Sequence, residues 1–145
     1  MSIDNVSQLL RSLQHVDAYP HAVDGEIQMI ETHISWVFLA GNYAYKIKKP
    51  IRTSFLDYTT LALRKQYCEE ELRLNKRCAA DLYLGMVAIV DNNGHLFIDR
   101  CGEPVEYAVR SHWRLRIDSG FAVVLGLSSD SSREGRGYSL LSNRV

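Results

Sequence analysis

Apolar residues near the start of the chain fall at Val6, Leu9, Leu10 and Leu13. This is the i, i+3, i+4, i+7 spacing that lays one stripe along an α-helix. Asp4, just ahead of them, is a residue type that caps helix N-termini. Pro20 and Gly25 bracket a loop, and from Ile27 the pattern changes to extended runs: Ile27 to Glu31, Ser35 to Ala40 and Tyr43 to Lys49. Gly41-Asn42 between the last two is a two-residue hairpin signal. Pro50 closes the third run, because proline cannot donate to a strand ladder. Asp57, Thr59 and Thr60 are capping types placed before a long helical run from about Leu61 to Ala79. Three more extended runs follow: Leu82 to Val90, His95 to Asp99 and Val105 to Arg110. Turns are expected at Asp91-Asn92-Asn93-Gly94 and at Cys101-Gly102. The pattern predicts an α+β domain, a mainly antiparallel sheet with one long helix inserted after its third strand.

Composition narrows the function without naming it. At 145 residues and 46% apolar content the chain is the size of one globular domain. Lys+Arg 17 balances Asp+Glu 17, so no global basic field attracts nucleic acid. The longest apolar stretch, Ile34 to Ala40, is far short of the ~20 residues that cross a membrane. The N-terminus lacks the basic and apolar regions of a signal peptide, and a cytoplasmic location is expected. Cys68, Cys78 and Cys101 show no metal-site spacing and read as reduced, structural thiols. The five histidines are scattered, and no metal site is expected.

The last segment departs from the rest. Serine occurs 8 times in 111–145 against 5 times in 1–110, and lysine vanishes after Lys76. Only Phe121 to Leu127 reads as buried structure. The pattern divides the chain into an N-terminal helical segment (1–17), a main domain (18–110) and an atypical Ser/Arg/Gly-rich tail (111–145). Such a composition has little apolar area to offset its ordering entropy. The tail is either flexible or not the natural continuation of the domain.

Two features carry chemistry. Alternation along the third strand puts Lys46 and Lys48 on one face, where they could be solvated, pair with carboxylates or bind phosphate. On the long helix, Leu61, Cys68, Leu72, Asn75 and Cys78/Ala79 form one stripe, and Glu71 falls inside it. A carboxylate on an inner stripe requires a partner, since burying it unpaired costs several kcal/mol. Glu69 and Glu70 point elsewhere, toward solvent. A strand lysine followed 25 positions later by a helix glutamate matches the phosphate-positioning pair of kinase-like small lobes.

Three blocks in order strengthen this. The run Glu31 to Pro50 (ETHISWVFLAGNYAYKIKKP), the run Cys68 to Arg77 (CEEELRLNKR) with Asp81 to Leu84, and Val105 to Arg110 (VEYAVR) closely resemble a bacterial aminoglycoside-phosphotransferase-like family. The resemblance covers about residues 18–110. It implies the N-lobe of a protein-kinase-like fold: a mainly antiparallel five-stranded sheet, one long helix after the third strand and a short N-terminal helix, truncated after the fifth strand. It also implies ATP binding, with Mg in an intact relative, and phosphoryl transfer to a small molecule that the motifs do not identify. Within it Lys46 would contact phosphate and Glu71 would be its ion-pair partner, with Lys48 as the substitute lysine. The turn at 31–35 would stand in for a glycine-rich phosphate cover through Thr32, Ser35 and backbone N–H groups, unless both are ordinary strand-end residues.

The departures matter equally. Phosphoryl transfer by such enzymes uses an H-x-D-x-x-x-x-N loop and a second metal-binding Asp. The one H-x-D is His15-Val16-Asp17, ahead of the lysine strand and with Ala22 where Asn is needed. Asp118-Ser119-Gly120 follows Arg110 too closely to leave room for that loop, and no G-x-x-x-x-G-K-[ST] is present. No catalytic residue is assigned. The expectation is a nucleotide-binding N-lobe that is inactive alone and self-associates through a face its missing C-lobe would cover. The alternatives are a free-standing regulatory or protein-binding module, or a frameshifted or truncated product without function.

Overall fold

A computed structural model describes residues 3–112. Expectations for Asp118-Ser119-Gly120, for Phe121 to Leu127 and for the tail from 113 onward lie outside them. Within this range the architecture is α+β: α1 (Ile3–Ser12), β1 (Gln28–Glu31), β2 (Ser35–Ala40), β3 (Tyr43–Lys48), α2 (Leu61–Ala79), β4 (Tyr83–Asn92), β5 (His95–Ile98) and β6 (Pro104–His112). The sheet is antiparallel in every pairing, with the order β1-β2-β3-β6-β4-β5.

Six strands form where the resemblance implies five. The six strands are the six extended runs of the sequence pattern, with β5 at the sheet edge paired with β4. The turn between them is shorter than the four residues expected. Asn93 (φ 54°) and Gly94 (φ 91°) both take left-handed backbone, the requirement of a tight two-residue hairpin, so the chain folds straight back. Asp91 Oδ1 accepts from Gly94 N at 2.9 Å. The last strand is also longer than expected. It continues past Arg110 through His112, with Ser111 buried and His112 N donating to Leu82 O at 2.9 Å. At the first hairpin Gly41 (φ 62°) takes the left-handed position, and a Cβ there would sit 3.2 Å from Ala22 O.

The two faces of the sheet are covered differently. One carries the main core, in which Phe38, Tyr45, Ile47, Ile89 and Ile98 pack with Leu9 and Leu13 of the N-terminal segment. α1 begins at Ile3, so Asp4 lies in its first turn rather than capping it. The helix is tied to the hairpin by Gln8 Nε2 donating to Gly94 O and by Ser12 Oγ accepting from Leu96 N. On the other face α2 lies over β4 and β6, where Cys68 packs with Leu82, Tyr83 and Val109. Beside that contact a smaller buried cluster joins Ile30, Val37, Leu39 and Ala44. α2 starts at Thr60, whose Oγ1 accepts from Leu63 N at 3.1 Å. Lys76 and Arg77 in its last turn complement the helix dipole.

Candidate functional site

The period of two along β3 sends Tyr45 and Ile47 into the main core and Lys46 and Lys48 to the opposite face, under α2. There both ammonium groups meet one carboxylate oxygen: Lys46 Nζ and Lys48 Nζ each donate to Glu71 Oε1 at 3.0 Å. The side chains are 12%, 4% and 14% exposed for Lys46, Lys48 and Glu71. The pairing expected from the sequence is thus present, and Lys48 joins Lys46 rather than replacing it.

The arrangement is electrostatically lopsided. Two cations face one anion, leaving a net charge of +1 in a largely buried cluster. Glu71 Oε2 is buried and has no hydrogen-bond partner. Burial acts to raise the Glu71 carboxyl, but the charges of Lys46 and Lys48 outweigh it and hold the group below the ordinary glutamate value. Burial lowers the Lys46 ammonium, and Glu71 only partly restores it while Lys48 opposes it. Lys48 is also subject to burial, yet Glu71 and Tyr58 bring it above the ordinary lysine value. Its Nζ lies 5.2 Å from the centroid of the Tyr58 ring, a cation–π contact. Beneath the cluster, burial pushes the Cys68 thiol up to about 12, so this cysteine is an inert core residue at neutral pH.

Thr32 and Ser35 differ from the three charged residues. The Thr32 hydroxyl is engaged in its own turn, accepting from Ser35 N at 3.0 Å and lying 3.3 Å from Ser35 O. Ser35 is fully buried, opposite Lys48 in the β2–β3 register, and its Oγ has no hydrogen-bond partner. Ser35 is therefore placed beside Lys48.

A second charged pair escaped the sequence reading. Arg64 Nε donates to both carboxylate oxygens of Glu106, at 3.1 and 3.0 Å, and Arg64 Nη1 donates to Tyr58 O at 2.8 Å. Glu106 Oε1 also accepts from Tyr107 N at 3.1 Å. The side chains are 3% and 0% exposed. The signal was Arg64's position, three after Leu61 and four before Cys68, on the inner stripe. The stripe itself is narrower than its spacing suggests: Cys78 is exposed, as is Cys101, so of the three thiols only Cys68 is buried. Glu69 and Glu70 are exposed as expected.

Elsewhere, a depression of about 610 Å³ opens between α1 and the start of α2, lined by Gln8, Thr60, Leu61, Arg64 and Glu103 among others. None of the Lys46, Lys48 and Glu71 side chains lines it. Among the described residues no group of three His, Cys, Asp or Glu side chains is placed to hold a metal ion. No helix among them is long and apolar enough to cross a membrane.

Known proteins similar to this chain include two from Mycobacterium tuberculosis, uncharacterized protein Rv2004c of strain H37Rv and uncharacterized protein MT2060 of strain CDC 1551, and uncharacterized protein Mb2027c of Mycobacterium bovis. Each is 42% identical over 78 residues, which is 54% of this chain but 16% of the relative. The matched stretch thus covers about one sixth of these relatives' length. No protein-family model and no solved structure matches the chain.

Proposed function

We propose that residues 18–110 are the nucleotide-binding N-lobe of an ATP-dependent small-molecule phosphotransferase of the aminoglycoside-phosphotransferase-like kind, inactive on its own. The observation that carries this reading is the strand–helix ion pair, Lys46 Nζ to Glu71 Oε1 at 3.0 Å. In kinase-like lobes such a pair aims a lysine at the α- and β-phosphates. The net +1 of the cluster favours a polyanion over a neutral ligand. Ala44 precedes Lys46 by two residues and shares its sheet face, where it packs with Val37 and Leu39. An apolar surface next to a cation suits a base joined to phosphates. Relatives of which the match covers only 16% agree with a module that forms one part of a longer protein.

Lys46 and Glu71 fit the phosphate-positioning role. Mg, which would travel with ATP, would need carboxylates beyond this pair. The chain carries no H-x-D-x-x-x-x-N run after the lysine strand, so proton removal from an acceptor hydroxyl has no assigned residue. Binding without turnover is the resulting activity, in the cytoplasm, with self-association through the face a C-lobe would cover.

Calorimetric titration of the full chain with ATP tests this. Saturable binding is expected, with loss of affinity in Lys46→Met and none in Lys65→Met, whose lysine is exposed and pairs with Glu69 rather than Glu71. Adenosine, lacking phosphates, should bind far more weakly. Absence of ATP binding, or equal affinity in Lys46→Met, overturns the reading.

A further inference from the structure

Arg64 on α2 and Arg110 on β6 are equipped differently. Arg64 gives Nε to both oxygens of Glu106 and Nη1 to Tyr58 O. Arg110 has a buried Nε with no hydrogen-bond partner among the described residues. Its Nη1 lies 3.6 Å from Asp99 Oδ2, an ion pair too long for a hydrogen bond, and half of the Asp99 side chain is exposed. A buried charged donor left unmet is costly to the fold. A ligand that brings the missing acceptor removes that cost.

Arg110 lines a cavity of about 380 Å³ together with His21, Tyr43, Leu84, Asp99 and His112. Arg110 stands opposite Tyr45 in the β3–β6 register, and His112 opposite Tyr43. The cavity therefore belongs to the face of the main core, away from Lys46 and Glu71. Its volume falls in the lower part of the ~300–1,000 Å³ range of small-molecule sites.

The walls are flat and apolar. The rings of His21, Tyr43 and His112 follow one another with centroids 4.5 and 5.3 Å apart. Both nitrogens of His21 are engaged, Nδ1 donating to Ala22 O at 3.0 Å and Nε2 lying 2.7 Å from the Tyr45 hydroxyl. This histidine thus offers a ligand its ring face. In β4, Tyr83 pairs with Ser111 and Gly85 with Arg110, which leaves Leu84 with no opposite residue on β6. A bulge of this kind re-aims a side chain, and Leu84 is exposed at the cavity.

We propose that this cavity binds a small aromatic carboxylate, its anionic group on the Arg110 guanidinium and its ring against the row formed by His21, Tyr43 and His112. The proposal is independent of the nucleotide reading, with which it shares no residue. Charge selects the class of ligand. A guanidinium fork matches a carboxylate in bidentate geometry. One cation beside the Asp99 carboxylate suits a single negative charge, whereas a phosphate dianion would meet repulsion from Asp99 with no second cation to offset it. The aromatic row favours a flat partner in offset or edge-on contact.

Titrating the full chain with benzoate while recording the arginine Nε–H signals tests this. The Arg110 signal should shift with saturation and the Arg64 signal should stay in place. Acetate, which lacks the ring, and benzamide, which lacks the charge, should each bind ~10-fold more weakly or worse. Arg110→Gln should weaken benzoate binding by ~10–100-fold, the worth of a charge-assisted hydrogen bond. Asp99→Asn should tighten it by about 2–5-fold, because the competing carboxylate is gone. Asp99 has left-handed backbone (φ 60°), which asparagine also adopts, so this variant keeps the turn and decides the matter if Arg110→Gln fails to fold. Absence of a saturable Arg110 shift, equal affinity in Arg110→Gln, unchanged or weaker binding in Asp99→Asn, or acetate binding as tightly as benzoate would each overturn the site.

Discussion

Two glutamates sit at the contact between α2 and the sheet, Glu71 on the helix and Glu106 on β6, and they are treated in opposite ways. Glu106 has both oxygens bound by Arg64 Nε, a further bond from Tyr107 N and no exposed surface. Charge there is balanced one to one. Glu71 has one oxygen shared by two lysines, the other without a partner, and 14% of its side chain exposed. A balanced, saturated pair has nothing left to offer a ligand and serves to fix the start of α2 against β6. An unbalanced and partly open cluster is poorly optimised for stability alone, and its unused capacity is what a phosphate could employ.

The largest effects should come from breaking the two charged clusters, beginning with the balanced pair. Glu106→Leu strands a buried guanidinium and should destabilise the domain by about 3–5 kcal/mol in urea unfolding, whereas adding Arg64→Met should recover most of the loss. If Glu106→Leu alone is nearly neutral, the pair is not the anchor described here. A comparable loss, about 3–5 kcal/mol, is expected for Glu71→Ala, because it leaves the largely buried Lys46 and Lys48 without their carboxylate. Glu69→Ala, on the exposed side of the same helix turn, should leave the unfolding midpoint in place; equal effects at 69 and 71 would erase the distinction between inner and outer acids.

The two carboxylates should also oppose one another in acid. Glu71 sits below the ordinary glutamate value because Lys46 and Lys48 outweigh its burial. Its contribution is complete above the ordinary value and is lost as pH falls through the folded one. Burial outweighs Arg64 at Glu106 and raises that carboxyl. The folded state therefore holds the Glu106 proton more tightly than the unfolded chain does, and this contribution is lost as pH rises through the folded value. Glu71→Gln should flatten the acid limb of the stability profile, and Glu106→Gln should steepen it. Changes of the same sign in both variants would contradict this contrast.

Much of this was legible along the chain. Strict alternation at Tyr43 to Lys48 separates lysines from core residues, and helical spacing from Cys68 to Asn75 isolates Glu71 from Glu69 and Glu70. Each is a local pattern with a fixed geometric meaning. Arg64 signalled itself only by its place on the inner stripe, and Glu106 not at all, because a charged residue in a strand reads as solvated until its partner, 42 positions away, is known. The placing of β6 between β3 and β4 is likewise a non-local pairing that periodicity does not encode. The length of the β4–β5 turn was misread, because two left-handed residues, Asn93 and Gly94, close a hairpin tighter than the polar run around them suggests.

The central claim is that Lys46 contacts the phosphates of a nucleotide. It is tested most directly by recording the lysine side-chain nitrogen signals of the full chain during titration with ATP. The Lys46 ammonium should shift with saturation, while Lys65 and Lys76 stay where they are. An unmoved Lys46 signal at saturating ATP, or a uniform drift of every lysine, would contradict it.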